Sequence, residues 1–194
     1  MNILLLGPQG SGKGTQAQKI AGTYGLAHIA TGDMIRQMKD HPDDLGRELT
    51  AVYDRGDLVS DDLMIRLIRE RLDRGDTVPG VVFDGYPRTF AQAESLDQVL
   101  SDLSRIVDIV FELKVPDRAQ LLDRLLKRAA EENRTDDTPE AIQRRLETYD
   151  RETAPLVEYY RTTRGNVVGI HADRSIGEVF HEIQEALSAV EARA

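Results

Sequence analysis

Lys13 closes a glycine-rich stretch, Gly7-Pro8-Gln9-Gly10-Ser11-Gly12-Lys13-Gly14-Thr15. Glycines leave backbone N–H groups uncovered and make unusual dihedrals cheap, so several amides can converge on one anion. The stretch follows an apolar run, Ile3–Leu6, and opens into a helix-compatible segment from Gln16. A helix entrance adds a partial positive charge and Lys13 adds a full one. Strand, glycine loop and helix in that order read as a grip on nucleoside triphosphate phosphates, made by Gly10, Ser11, Gly12, Lys13, Gly14 and Thr15. The competing reading is an ordinary glycine turn. One position departs from the usual loop: the hydroxyl expected straight after the lysine comes one residue later, at Thr15, and Gly14 takes its place.

A second group with chemical potential is Asp84, which ends the apolar run Val81-Val82-Phe83. A carboxylate closing a buried strand beside a phosphate loop is placed to orient magnesium, through water because that ion sheds its hydration reluctantly. Its plainer role is a turn cap at Gly85. The third group is cationic. The chain has 20 Arg against 5 Lys, and Arg offers a planar fork for phosphate. Arg36, Arg88 and Arg134 fall in segments broken by glycine or proline, whereas Arg124, Arg128 and Arg145 fall in helical ones. There a surface pair with Asp or Glu, worth ~0–1 kcal/mol, is the alternative. No side chain presents itself as a general base, and His28, His41, His171 and His181 all have non-catalytic readings.

The elements that must position these groups follow from periodicity and punctuation. Apolar runs at Ile3–Leu6, Ala27–Ala30, Val81–Asp84, Ile106–Leu113 and Val167–Ile170 read as five strands. Between them lie helical patterns, including Leu63, Leu67, Ile68 and Leu72 after a Ser60 cap, and Phe90, Ala93, Leu96 and Val99. Others carry Leu121, Leu122, Leu125 and Leu126 after Asp117, restart at Thr138-Pro139, and close the chain with Val179, Ile183 and Leu187 after Ser175. Leu45, Leu49 and Val52 suggest a short helix ending near Gly56. Alternating strands and helices imply an α/β fold, a five-stranded parallel sheet covered on both faces, with ligands beyond the strands' carboxyl ends.

At 194 residues the chain makes one ordinary domain with small insertions. A net charge of −9 argues against broad nucleic-acid binding, and no apolar run spans a bilayer. Cys is absent, which excludes disulfides and thiolate metal sites and fits the cytoplasm. There is no secretory signal pattern at the N-terminus.

Taken in order, these motifs resemble the adenylate kinase family, from Met1 to the C-terminal helix. The resemblance rests on the loop with Gly14 before Thr15, and on Thr31-Gly32-Asp33-Met34-Ile35-Arg36 and Gly56-Asp57-Leu58-Val59. It also rests on Asp84-Gly85-Tyr86-Pro87-Arg88 with Gln92, on Arg134-Thr135-Asp136-Asp137 and on Arg144-Arg145-Leu146. It implies the P-loop fold with a core of residues 1–30, 60–128 and 139–194, a monophosphate-binding insertion at 31–59 and a lid at 129–138. The implied reaction is MgATP + AMP ⇌ 2 ADP, run by a cytoplasmic monomer with Mg2+ as cofactor. Lys13 and the loop would hold ATP, with Arg124 on its adenine and Arg174 near its base. Arg36 and Arg88 would hold the AMP phosphate. Thr31, Asp57, Leu58, Val59, Gly85, Tyr86, Pro87 and Gln92 would line the AMP pocket. Arg128, Arg134 and Arg145 would converge on the transferring group. The lid is too short, and the chain too free of Cys, for a structural zinc. A UMP/CMP-type kinase and a noncatalytic nucleotide sensor are the alternatives. Thr31 and Gln92 favour AMP over the first, and the full set of cations speaks against the second.

Overall fold

A computed structural model describes residues 1–39, 52–132 and 137–191. Its centre is a sheet of five parallel strands, β1 (Asn2–Leu6), β2 (Ala27–Ala30), β3 (Val81–Asp84), β4 (Ile109–Lys114) and β5 (Val167–His171), in the order β2-β3-β1-β4-β5. Among the described residues the helices are α1 (Lys13–Tyr24), α2 (Thr31–Lys39), α3 (Asp61–Leu72) and α4 (Phe90–Asp102). They continue as α5 (Arg118–Glu131), α6 (Pro139–Thr148), α7 (Pro155–Arg164) and α8 (Ile176–Glu191). The short helix expected through Leu45 and Leu49 lies outside the described residues, although 52–54 are helical.

The sheet is buried on both faces, so β1 reads as unbroken apolar residues rather than an alternation. Leu4, Leu6, Val81, Phe83 and Val110 point into one core, closed by α2, α3, α4 and α7. Ile3, Leu5, Val82, Ile109 and Phe111 point into the other, closed by α1, α5, α6 and α8. Each such side chain contributes about 1.5–3 kcal/mol on leaving water, which holds the strand ends in register.

That register aligns the exits. Leu5 pairs with Asp84, Ala30 with Asp84, and Leu6 with Glu112. The glycine loop, the entry to α2 and the Asp84-Gly85 turn therefore leave the sheet side by side at its carboxyl edge.

Several boundaries differ from expectation. β4 starts at Ile109, not Ile106, because Asn2 takes over the pairing there. Its side-chain amide donates to the Ile106 carbonyl at 2.7 Å and its N–H donates to Asp108 Oδ2 at 2.6 Å. Ser60 precedes α3 without a capping side-chain bond. Thr138 does cap α6, accepting from the Ala141 N–H, with Pro139 in the first turn. A π-helical turn, Tyr149–Thr153, was not foreseen; it joins α6 to α7.

Candidate active site

A cleft of about 850 Å³ opens at the carboxyl edge of the sheet, lined by the glycine loop, Asp84, Gly85, Arg36, Arg88, Arg124, Arg128, Arg145 and Arg174. Gly12 precedes α1 in a left-handed conformation, and the Gln16 N–H already bonds back to its carbonyl. Lys13 Nζ donates to the Gly7 and Pro8 carbonyls at 2.6 and 2.9 Å, folding the ammonium over the loop. Burial pulls the Lys13 pKa down to about 8, against the opposing charge of Asp84. Ser11 Oγ is buried inside the loop.

The glycine at position 14, which broke the usual pattern, has a structural reason. A Cβ there would lie 3.2 Å from Asp84 Oδ2, so glycine lets the carboxylate rest against the first turn of α1. Burial pushes the Asp84 pKa up, but the imidazole of His28 and the charges of Lys13 and Arg88 outweigh it, leaving the acid ionised below the usual carboxylate range. His28 Nε2 stands 3.5 Å from Asp84 Oδ2, across from β2 to β3.

On the other side of the cleft, the turn Gly85-Tyr86-Pro87-Arg88 contains a cis Tyr86–Pro87 bond. Arg88 Nε donates to the Gly85 carbonyl at 2.8 Å, and Thr153 Oγ1, from the π-helical turn, donates to the Arg88 carbonyl at 2.9 Å. π-Helical turns recur at functional sites, and this one anchors a cleft arginine. Burial lowers the Arg88 pKa from its ordinary value, with Arg145 adding repulsion. Thr31 is buried and its hydroxyl donates to the Gly85 carbonyl at 2.8 Å. Gln92, also buried, accepts from the Arg88 N–H at 2.9 Å and donates to Asp61 at 2.7 Å. With Leu58 and Val59, Thr31, Asp57, Gly85, Arg88 and Gln92 surround a small side cavity.

Tyr53 ties the two sides together. Its hydroxyl accepts from Arg36 Nη1 at 2.7 Å, its carbonyl accepts from Arg145 Nη2 at 3.0 Å, and the Arg145 guanidinium lies 4.9 Å from its ring. Arg36 also pairs with Asp33. The buried carboxylate of Asp137 accepts from Arg145 at 2.5 Å and from Arg128 at 2.6 Å. Asp57 pairs with Arg55 at 3.0 Å and with Arg144 at 3.2 Å. The Arg55 hydrogen bond is the main reason its carboxyl is held below the usual range.

The cleft thus brings together Lys13, Asp84, Arg36, Arg88, Arg128 and Arg145. Arg124 reaches it pinned to the Ala172 carbonyl at 2.9 Å, and Arg174 sits at its rim, bonded to the His171 carbonyl and Glu182. Tyr86 is fully buried beneath the turn, its hydroxyl donating to the Gln92 carbonyl at 3.2 Å, and is absent from the wall of either cavity. Pro87 lines the cleft. Arg134 lies outside the described residues. Sequence reasoning did not single out Tyr53, Asp61, Asp137 or Thr153 as site residues. Each acts by bonding to another cleft residue, and only Asp137 lay in a segment already marked.

Among the described residues no cluster of three or more His, Asp or Glu could hold a metal ion, and no helix is long and apolar enough to cross a membrane. Residues 5–165 match the family model described as adenylate kinase. An adenylate kinase of Maricaulis maris is 46% identical over 187 residues, covering 96% of this chain and 98% of that one. One from Phenylobacterium zucineum is 42% identical over 192 residues, covering 99% and 100%. One from Bifidobacterium longum is 44% identical over 179 residues, covering 92% and 95%.

Proposed function

Because the chain belongs to the adenylate kinase family, the phosphotransferases between ATP and AMP, we propose that its cleft performs MgATP + AMP ⇌ 2 ADP by direct in-line transfer, with the residues named above in distinct roles. The observation that carries this reading is the alignment of three strand exits. It sets the phosphate loop, Asp84 and the Gly85–Arg88 turn around one cationic cleft.

In this reading Lys13 and the amides of Gly10 to Thr15 hold the donor phosphates. Arg36 and Arg88 hold the acceptor phosphate, and Arg128, Arg134 and Arg145 converge on the group in transit. Repulsion between two polyanions is the main obstacle, and cations fixed in a water-poor cleft offset it. Arg124 lies flat against the donor adenine and Arg174 borders it. Thr31, Gly85, Pro87, Gln92 and the backbone of Asp57 to Val59 line the acceptor pocket, with Tyr86 supporting it from below. The division into core, insertion at 31–59 and lid at 129–138 belongs to the same reading, as do a cytoplasmic location and a monomer.

No general base is needed, since a phosphate monoester with a second pKa near ~6 is already dianionic at neutral pH. Asp84 fits magnesium: it is ionised, faces the loop, and among the described residues belongs to no cluster of three or more metal-ligating side chains, as suits an ion held mostly by phosphate oxygens and water. Asp84 would orient magnesium through water, and the ion would supply neutralising charge to the ATP phosphates.

The test is ADP formation from MgATP with AMP, CMP, UMP and GMP offered separately. Turnover confined largely to AMP is expected. Preference for CMP or UMP would overturn the acceptor assignment, and tight ATP binding without turnover would favour a sensor.

A further inference from the structure

We infer that Asp61, outside the cleft on the first turn of α3, is a specificity-determining positioning residue. It fixes which way round the Gln92 carboxamide faces the acceptor base, and so sets the preference for a 6-aminopurine over a 6-oxopurine. The inference rests on the reading above in which Gln92 meets the acceptor adenine.

A carboxamide has two ends of the same shape and opposite hydrogen-bonding sense, so an amide that can turn over reads nothing. Gln92 cannot turn over without loss. Its Oε1 faces the Arg88 N–H at 2.9 Å, and a backbone N–H can only donate. Its Nε2 faces Asp61 Oδ1 at 2.7 Å, and an ionised carboxylate can only accept. Reversal would set donor against donor at one end and acceptor against acceptor at the other, in a buried site. Thr89 reinforces the arrangement. Its hydroxyl donates to the same Asp61 Oδ1 at 3.0 Å while accepting from the Gln92 N–H at 3.2 Å, so its one proton is committed.

With those bonds made, the amide retains one N–H and one oxygen lone pair, on a residue that lines the small cavity. Adenine presents the matching pair: an exocyclic N6–H donor next to the N1 acceptor. A 6-oxopurine presents the reverse, a carbonyl next to an N1–H. One orientation of Gln92 therefore accepts adenine in a bidentate contact and leaves two buried polar groups unpaired against hypoxanthine. Thr31 does not undo this choice, because its proton is already given to the Gly85 carbonyl.

The experiment compares kcat/KM for AMP and inosine monophosphate in the unsubstituted chain, Asp61→Ala, Asp61→Asn and Gln92→Ala, with thermal melting alongside. The AMP:inosine monophosphate ratio is expected to fall about tenfold in Asp61→Ala, the scale of one buried hydrogen-bond mismatch. Asp61→Asn keeps the ratio within about threefold, since the Thr89 hydroxyl still demands an oxygen at that place. A purely structural role would lower both substrates together and leave the ratio unmoved, which would overturn the proposal. If Gln92→Ala keeps the full ratio, Gln92 does not read the base and the underlying reading fails; if only Asp61→Ala keeps it, the role of Asp61 fails alone. Should Asp61→Ala not fold, the Gln92 side-chain amide of the unsubstituted chain decides by NMR. AMP is expected to move one of its two Nε2 proton resonances strongly, the other staying with Asp61. Equal movement of both, or of neither, would overturn the proposal.

Discussion

Arg145 Nη1 and Asp137 Oδ1 lie 2.5 Å apart, and both side chains are buried. Because Arg128 meets the other carboxylate oxygen, one acid balances two cleft arginines. Removing one member of a buried pair takes away a charge partner, a loss that reaches about 3–5 kcal/mol at most. Asp137→Ala is expected to lose stability toward that scale, with the Arg128 share reduced by its partial exposure. Urea unfolding measures it, and added ADP should narrow the gap to the parent, since phosphates bring the missing negative charge.

Gly14→Ser restores the residue type usual after the loop lysine, yet its Cβ would press on Asp84 Oδ2 at 3.2 Å. The substitution sits in the first turn of α1, where replacing glycine gains up to about 0.5 kcal/mol of helix stability. Stability is expected to hold or rise slightly while kcat falls on the order of tenfold and its magnesium requirement increases. Titrating MgCl2 at saturating nucleotide checks both; a variant with unchanged kcat would remove Asp84 placement as the reason for Gly14.

Lys13 gives a pH signature. Its pKa is lowered from 10.5 to about 8, so between those values the unfolded chain binds more protons than the folded one. The contribution of this group to stability therefore rises with pH from about 8 to 10.5. ATP acts oppositely: its phosphates favour the ammonium, so binding takes up a proton and weakens above pH 8. Calorimetry near pH 8.5 in buffers of different ionisation enthalpy should detect uptake of roughly three-quarters of a proton per ATP. Zero uptake would contradict a buried, depressed lysine.

Gly56 adopts φ +79°, and a Cβ there would meet the Ala141 carbonyl at 2.6 Å. Backbone on both sides leaves nothing to yield. Gly56→Ala is expected to cost about 1–3 kcal/mol through strain and to push the Tyr53–Val59 segment off α6. Because Tyr53 holds Arg36, the KM for AMP should rise several-fold more than that for ATP. A steady-state comparison of the two KM values tests this.

The sheet, its parallel sense and the glycine loop were legible because each depends on local pattern. Leu4 to Leu6 and Val81 to Phe83 are apolar whatever surrounds them, and Lys13 follows its glycines directly. Arg88 stood out beside Pro87, but the roles of Arg128 and Arg145 came through resemblance to a family, since a helical setting left a surface ion pair equally open. What stayed illegible were bonds between distant residues. Nothing local in Asp61 says that it meets Gln92, 31 positions away. Tyr53 reaches Arg145 across 92 positions, and Asn2 captures Ile106, ahead of β4, from 104 positions away. The π-helical turn also escaped notice, because its residues continue a helical pattern and differ only in how the backbone bonds close.

The two cores on opposite faces of the sheet have a consequence for how specificity can change. Elements assigned to the donor nucleotide, α1 and α5, rest on one core; those assigned to the acceptor, α2, α4 and Val59, rest on the other. A substitution repacking one side leaves the opposite side's supports in place, so recognition of each substrate can drift by itself. The Tyr53–Arg145 and Asp57–Arg144 contacts, with Gly56 against Ala141, tie the two halves together at the cleft. Selection acting on the acceptor alone would leave its trace in one half of the molecule's interior.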